Sequence, residues 1–208
     1  MKETLFNSYI WKSKVKYENK NTLTETISKD FRENRHRLTP RWGCLVYSSF
    51  DNKGDVKIPE DFLDIIDKKF AEFLNDFPEM REIGGNYILH ECWYNVYENN
   101  YYQEPHSHEP STFSGCYYLK FNKKIHHQTY FYNPNFNSEY DCLTDNPFFC
   151  NHLECDEDDI IIFPSNLRHG TKGMRDKHFD DLRITISFNI RNVDYRKNQP
   201  KVKKPLYR

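Results

Sequence analysis

From Asn86 to Ile190 the chain reads as a succession of short strands. Asn86–Tyr97, Ser114–Phe121, His127–Tyr132, Asp159–Phe163 and Leu182–Ile190 are rich in aromatic and β-branched residues, and turn-rich stretches such as Asn133–Asn137 separate them. The last segment constrains most. From Arg183 to Asn189 it alternates strictly, with Arg183, Thr185, Ser187 and Asn189 on one side and Ile184, Ile186 and Phe188 on the other. One face of such a strand packs in an apolar core, and the other needs polar company. Many short strands of this kind predict a sandwich or barrel with helical support. That support is the amphipathic helix predicted over Pro59–Phe77, where Phe62, Ile65, Ile66, Phe70, Phe73, Leu74 and Phe77 form one apolar face. Pro59 suits its first turn, Glu60 and Asp61 suit the positive end of its dipole, and Pro78 stops it. Trp42–Phe50 reads as a further strand, and Lys12–Arg37 as a polar stretch interrupting short apolar runs.

The 208 residues fit one domain, residues 1–208, with N-terminal strand and helix support over 1–83, a barrel core over 84–192 and a basic tail over 193–208. A net charge of −1 excludes a uniformly basic nucleic-acid coat protein and disfavours duplex DNA as the main partner. Aromatic residues make up 16%, which excludes disorder as the chain's general state. No run approaches the roughly 18 apolar residues of a membrane span, so no membrane partner is expected. The first residues have no apolar signal core, so a cytoplasmic location with six reduced cysteines is expected. Ala71 is the single alanine, beside abundant Asn, Lys, Ile, Phe and Tyr, and this points to an AT-rich genome such as a bacteriophage's, hence a host cytoplasm. Residues 191–208 hold seven Lys/Arg against one Asp, which suits a solvated end or a contact for an acidic partner.

Nine histidines need explaining. In Pro105-His106-Ser107-His108-Glu109, a strand would turn His106 and His108 to one side, a ready pair of transition-metal ligands. A surface or packed pair explains His-x-His alone equally well. The run Asp158–Pro164 reads as a buried strand ending at a proline, and His169 follows five residues later. Fourteen residues on, Arg183 opens the alternating strand. An arginine on an inner face is costly unless an anion pairs with it, and its planar fork suits a carboxylate. A metal site beside a carboxylate site is the chemistry these residues suggest.

The order His106-x-His108, Ser114-Gly115-Cys116-Tyr117-Tyr118-Leu119, Phe163-Pro164-x4-His169 and Arg183-x3-Ser187-Phe188-Asn189 resembles the 2-oxoglutarate/Fe(II)-dependent oxygenases, especially those of phages and marine bacteria related to prolyl hydroxylases. The resemblance covers roughly residues 84–192. It implies a mostly β fold with supporting helices, a double-stranded β-helix or jelly-roll, cupin-like barrel. It implies Fe(II), 2-oxoglutarate as cosubstrate and O2, and hydroxylation of a small-molecule or peptide substrate with release of succinate and CO2. By position, His106 and His169 are metal ligands, Arg183 meets the far carboxylate of 2-oxoglutarate, and Ser187 and Tyr118 assist it. Asn95 and Thr185 are candidates for the cavity lining. The family's middle ligand is usually Asp or Glu; here His108 holds that position, and Glu109 would reach it only through a bulge.

Two alternatives use the same barrel. One is a cupin-type metalloprotein, a three-histidine dioxygenase or an isomerase without 2-oxoglutarate; the other is a metal-free binding protein. Elsewhere, Cys142, Cys150, His152 and Cys155 lie close enough in sequence for zinc, although the spacing matches no standard finger and free thiols are the simpler reading. His126-His127 reads as a surface pair, His36 as part of a solvated basic turn, His90 as an interior or cross-strand residue, and His178 as a loop residue with a minor claim to substrate contact. Tyr101 and Tyr102 are candidates for a substrate entrance.

Overall fold

In the computed structural model, residues 8–37, 44–52, 56–82, 85–135, 150–173 and 181–194 are described. The alternating segment forms strand β10 (Arg183–Asn192), and its two faces divide the protein. Its neighbours are β3 (Tyr87–Tyr97) and β5 (Phe113–Lys120), both antiparallel to it. With β1 (Trp11–Lys14), β2 (Tyr47–Ser48) and β8 (Asp159–Pro164) they make a six-stranded sheet of order β1-β8-β5-β10-β3-β2. A second, four-stranded sheet runs β4-β9-β6-β7, from β4 (Gln103–His106), β6 (Thr129–Tyr132), β7 (Cys150–His152) and β9 (His169–Thr171). Every pairing among these strands is antiparallel.

The period of two sorts the side chains. Ile184, Ile186, Phe188 and Ile190 of β10, Tyr117 and Leu119 of β5, and Ile160 and Ile162 of β8 join one apolar cluster with the helices. The intervening residues Cys116, Tyr118, Ile161 and Phe163 join a second cluster with Phe121, Phe131 and Leu167. At Gly115 the approach is close: a Cβ there would lie 2.1 Å from Phe188 Cζ, so Phe188 occupies the space a side chain would need.

Helix α3 (Glu60–Asp76) is the predicted amphipathic helix, with Pro59 at its N-cap and Phe62, Ile66, Phe70 and Phe73 buried. Helix α1 (Lys20–Asn34) was not expected. Its apolar stripe is only Leu23, Ile27 and Phe31, spaced four apart, and it buries Asp30 as well. Asp30 accepts hydrogen bonds from Tyr47 Oη at 2.7 Å and from Tyr94 Oη, so the buried carboxylate is satisfied. The expected strand over Trp42–Phe50 shrinks to β2, because Ser49 already begins the short helix α2 (Ser49–Asn52); residues 42 and 43 lie outside the described residues. Pro78 ends α3 and also starts a second short helix, α4 (Pro78–Glu82). The edge strand β1 was likewise unexpected; Lys12 and Lys14 point outward from it, and Lys14 pairs with the buried Asp159 at 2.9 Å. No helix of the described residues is long and apolar enough to cross a membrane. The basic tail beyond Asp194 and His178 lie outside the described residues.

Candidate metal centre and inner pocket

Strands β4 and β9 pair so that His106 stands directly opposite His169. Their rings are 4.5 Å apart, centroid to centroid. The expected strand stops at His106, and His108 lies just beyond it. The backbone N–H of His108 donates to Ser165 O at 2.9 Å, which anchors the main chain beside the segment that follows β8. The ring lies 4.8 Å from that of His106 and 5.1 Å from that of His169. One ring nitrogen from each histidine falls within 4.8 Å of the others, and this is the group among the described residues with a metal-binding arrangement. Glu109 is outside that group; it is exposed and lines the cleft around the mouth.

The tautomers follow from the partners. His106 Nδ1 is 2.8 Å from Glu104 O, and His169 Nδ1 is 2.9 Å from Leu167 O. A carbonyl only accepts, so each Nδ1 carries the proton and each Nε2 keeps its lone pair. Burial lowers the pKa of all three rings. His106 is moderately lowered, His108 falls to about 3 with help from the neighbouring His106, and His169, fully enclosed, is lowered well below the usual histidine value. Phe163 and Phe131 pack on the His169 ring and keep it dry. The result is three neutral imidazoles with free nitrogens converging, a donor set suited to a first-row transition metal.

A second group lines the same inner pocket. Arg183, Thr185 and Ser187 project into it from β10, and Asn95 from β3. Arg183 is 3% exposed, and its Nη2 donates to Thr129 Oγ1 at 3.1 Å. Its Nε and Nη1 are buried with no acceptor. Tyr97 stacks beneath the guanidinium at 4.7 Å, and Tyr118 and Phe121 flank it. Tyr118 Oη donates to Thr129 Oγ1 at 3.0 Å, so the same hydroxyl accepts from both Tyr118 and Arg183. Asn95 Nδ2 donates to Ser187 Oγ at 3.1 Å, and its Oδ1 has no partner. Two unsatisfied guanidinium nitrogens in a dry pocket fit an anionic ligand with a planar carboxylate. Burial raises the Cys116 thiol to about 11, so it stays protonated beside this pocket.

Thr129 and Tyr97 escaped the sequence reading because they reach Arg183 from other strands, with no local signal. His126, expected at the surface, is 1% exposed instead. Its Nδ1 accepts the Asn122 N–H at 3.0 Å, and burial, then the charge of Arg183, lowers its pKa to about 4. His90, expected inside or across the strand, is exposed; His36 is exposed, as read. Tyr101 packs on Phe31 rather than at an entrance. Cys150 and Cys155 are buried and His152 is exposed, with Nε2 3.0 Å from Glu154 Oε1; among the described residues they form no metal-binding group, and Cys142 lies outside the described residues.

Above the histidines an outer cleft of about 480 Å³ opens, sharing Trp93, Gln103, His106 and His108 with the inner pocket.

Residues 91–189 match the family model described as "Putative 2OG-Fe(II) oxygenase". No curated protein matches the chain in sequence. Among solved structures, a prolyl-4-hydroxylase of Pseudomonas putida is similar at 12% identity, with 89% of this chain and 93% of that one covered and a TM-score of 0.55. A viral collagen prolyl hydroxylase from Paramecium Bursaria Chlorella virus-1, solved with 2-oxoglutarate, matches at 14% identity over 89% of this chain and 96% of that one, TM-score 0.53. The α-ketoglutarate-dependent epimerase SnoN of nogalamycin biosynthesis matches at 10% identity over 97% of this chain and 86% of that one, TM-score 0.50. At such identities the likeness is one of fold, the double-stranded β-helix.

Proposed function

We propose that the chain is a 2-oxoglutarate/Fe(II)-dependent dioxygenase in which His106, His108 and His169 hold the iron and Arg183 holds the far carboxylate of 2-oxoglutarate; the match of residues 91–189 to a family model of such oxygenases and the shared fold support the reading. The observation that carries this reading is the convergence of three neutral imidazole nitrogens, all within 4.8 Å, over a pocket whose buried arginine lacks two acceptors. When bound, iron would supply, with O2 as the oxidant and 2-oxoglutarate as the co-reductant, the chemistry that turns a substrate C–H into C–OH, one oxygen atom going to the product and the other to succinate as CO2 is released.

The chain's own residues bind, orient and exclude water. Glu104 O and Leu167 O hold two of the imidazoles in the tautomer that presents Nε2. Thr129, braced by Tyr118, fixes one edge of the Arg183 fork and leaves its other nitrogens for the ligand carboxylate. Ser187 and Asn95 brace each other, and Asn95 Oδ1 remains as an acceptor on the pocket wall. Phe163 and Phe131 keep water from His169. The three histidines would hold the metal and leave positions on it open for 2-oxoglutarate and one further ligand. A neutral His108 in place of a carboxylate leaves the metal with one more unit of positive charge, which favours anionic ligands beside it. A cupin that does not use 2-oxoglutarate would have no use for the unpaired Arg183.

The test is an anaerobic titration of Fe(II), then 2-oxoglutarate, into the purified protein. A visible metal-to-ligand charge-transfer band that saturates with 2-oxoglutarate is the expected result. Iron binding with no band and no 2-oxoglutarate binding would overturn the reading in favour of a cupin. Substrate oxidation with hydroxylated product and stoichiometric succinate distinguishes hydroxylation from other oxidations.

A further inference from the structure

The polar face of β10 continues past the inner pocket. Arg183, Thr185 and Ser187 line that pocket, and Asn189 and Arg191, next on the same side, line the outer cleft. One strand therefore carries an arginine at each end of a polar stripe, roughly 26 Å apart at about 3.3 Å per residue. Both keep a buried nitrogen without an acceptor: Nε and Nη1 in Arg183, Nε in Arg191. Opposite Asn189 stands Glu91, and a chain of neutral groups holds it. Ser114 Oγ meets Ser165 Oγ at 2.8 Å and donates to Asn189 Oδ1 at 2.8 Å, while Asn189 Nδ2 donates to Glu91 Oε2 at 2.7 Å. The carboxylate is thus oriented but not neutralised; the other oxygen is 3.7 Å from His90 Nε2. Glu104 and Glu109 line the same cleft. An anion approaching Arg191 meets these carboxylates unless it brings a positive charge of its own. Trp93 and the half-exposed Phe50, with rings 5.2 Å apart and tilted, give the cleft a flat apolar wall. A cleft of about 480 Å³ suits a small molecule.

We infer that the outer cleft takes an amphoteric substrate: a small molecule with an acidic group for Arg191, a protonated amine for Glu91, and an apolar or planar body against Trp93 and Phe50. The inference deepens the function proposed above and rests on it for naming this ligand as the molecule oxidised. The probes are L-phenylalanine, 3-phenylpropanoate and 2-phenylethylamine, which carry both charges, only the acid and only the amine. Each is titrated by ligand-detected NMR into protein holding Fe(II) and 2-oxoglutarate without O2, and into protein holding neither. In the loaded protein L-phenylalanine binds about tenfold or more tighter than either single-charge analogue, the scale of one charge-assisted contact. Arg191→Gln abolishes the preference over 2-phenylethylamine, and Glu91→Gln the preference over 3-phenylpropanoate. Each weakens L-phenylalanine far more than it weakens 2-oxoglutarate. Equal binding of the three probes to the wild type, or no binding of L-phenylalanine, overturns the inference even if both variants fail to fold. A preference that persists in protein unable to bind 2-oxoglutarate upholds the cleft assignment and removes the oxygenase reading instead.

Discussion

On its outer face the six-stranded sheet presents Ile184, Ile186, Phe188 and Ile190 to helices α1 and α3, and the packing there is closed. On its inner face the same strand presents Arg183, Thr185, Ser187 and Asn189, and the packing is left open: two nitrogens of Arg183 and Oδ1 of Asn95 are buried without partners. A residue step of one separates the two environments. The outer face holds the fold, and the inner face holds groups whose partners arrive with a ligand. Replacements on the outer face should cost stability, and replacements on the inner face should cost ligand binding instead.

The largest effect belongs outside. Phe73 is fully buried, with the rings of Phe70, Phe77, Phe113 and Trp11 around it. Phe73→Ala should lose about 3–5 kcal/mol in urea denaturation. The protein that remains folded should still bind 2-oxoglutarate; loss of that binding without loss of stability would erase the contrast between the faces. Next comes Arg183→Met inside. Removing a buried cation that has Thr129 Oγ1 as an acceptor but leaves Nε and Nη1 without one should leave the metal-free, ligand-free protein at least as stable. The affinity for 2-oxoglutarate should fall by about 2–5 kcal/mol, as when one partner of a buried charge pair is removed. A clear loss of stability in thermal melts of the ligand-free protein would show Arg183 to be a structural residue.

How far these faces were legible from the residues follows from the same alternation. β3, β5, β8, β10 and α3 were readable because each carries a dense pattern of period two or 3.6. Helix α1 was not, because Leu23, Ile27 and Phe31 are thin against its polar residues, and a stripe that narrow becomes a helix only when the sheet is there to receive it. The spacing of His106 and His108 was visible, yet the strand ends between them, and the main chain at His108 is anchored by a backbone bond to Ser165 from a distant segment. The same holds for Thr129 and Tyr97 around Arg183. Contacts within a strand are encoded nearby, and contacts across the barrel interior are made only by the closed fold.

His126 sharpens the contrast at smaller scale, since it is buried beside Arg183 and its pKa is lowered to about 4 by burial and then by that charge. An unfolded imidazole titrates near 6.5, about two and a half units higher. Between those values the unfolded chain binds a proton the folded chain does not, so the contribution is fully present above about pH 6.5 and is lost as the pH falls toward 4. The slope from one such group is about 1.4 kcal/mol per pH unit. In His126→Gln, stability measured from pH 6.5 to 4 should decline less steeply by about that amount. An unaltered slope would mean that His126 is protonated in the folded protein.

The smallest expected effect is at Glu109, one residue past His108. A carboxylate completing the metal site would have to point inward with the imidazoles, but Glu109 is exposed at the cleft and stands outside the converging group. Glu109→Gln should therefore change Fe(II) affinity, measured anaerobically by calorimetry, by less than about 0.5 kcal/mol, the range of surface substitutions away from such features. His108→Gln should weaken iron severalfold or more, because it removes one of three inward nitrogens. The reverse ranking would give the third position to Glu109. It would make the metal site a two-histidine, one-carboxylate face and remove the extra positive charge that distinguishes this mouth from one built with a carboxylate.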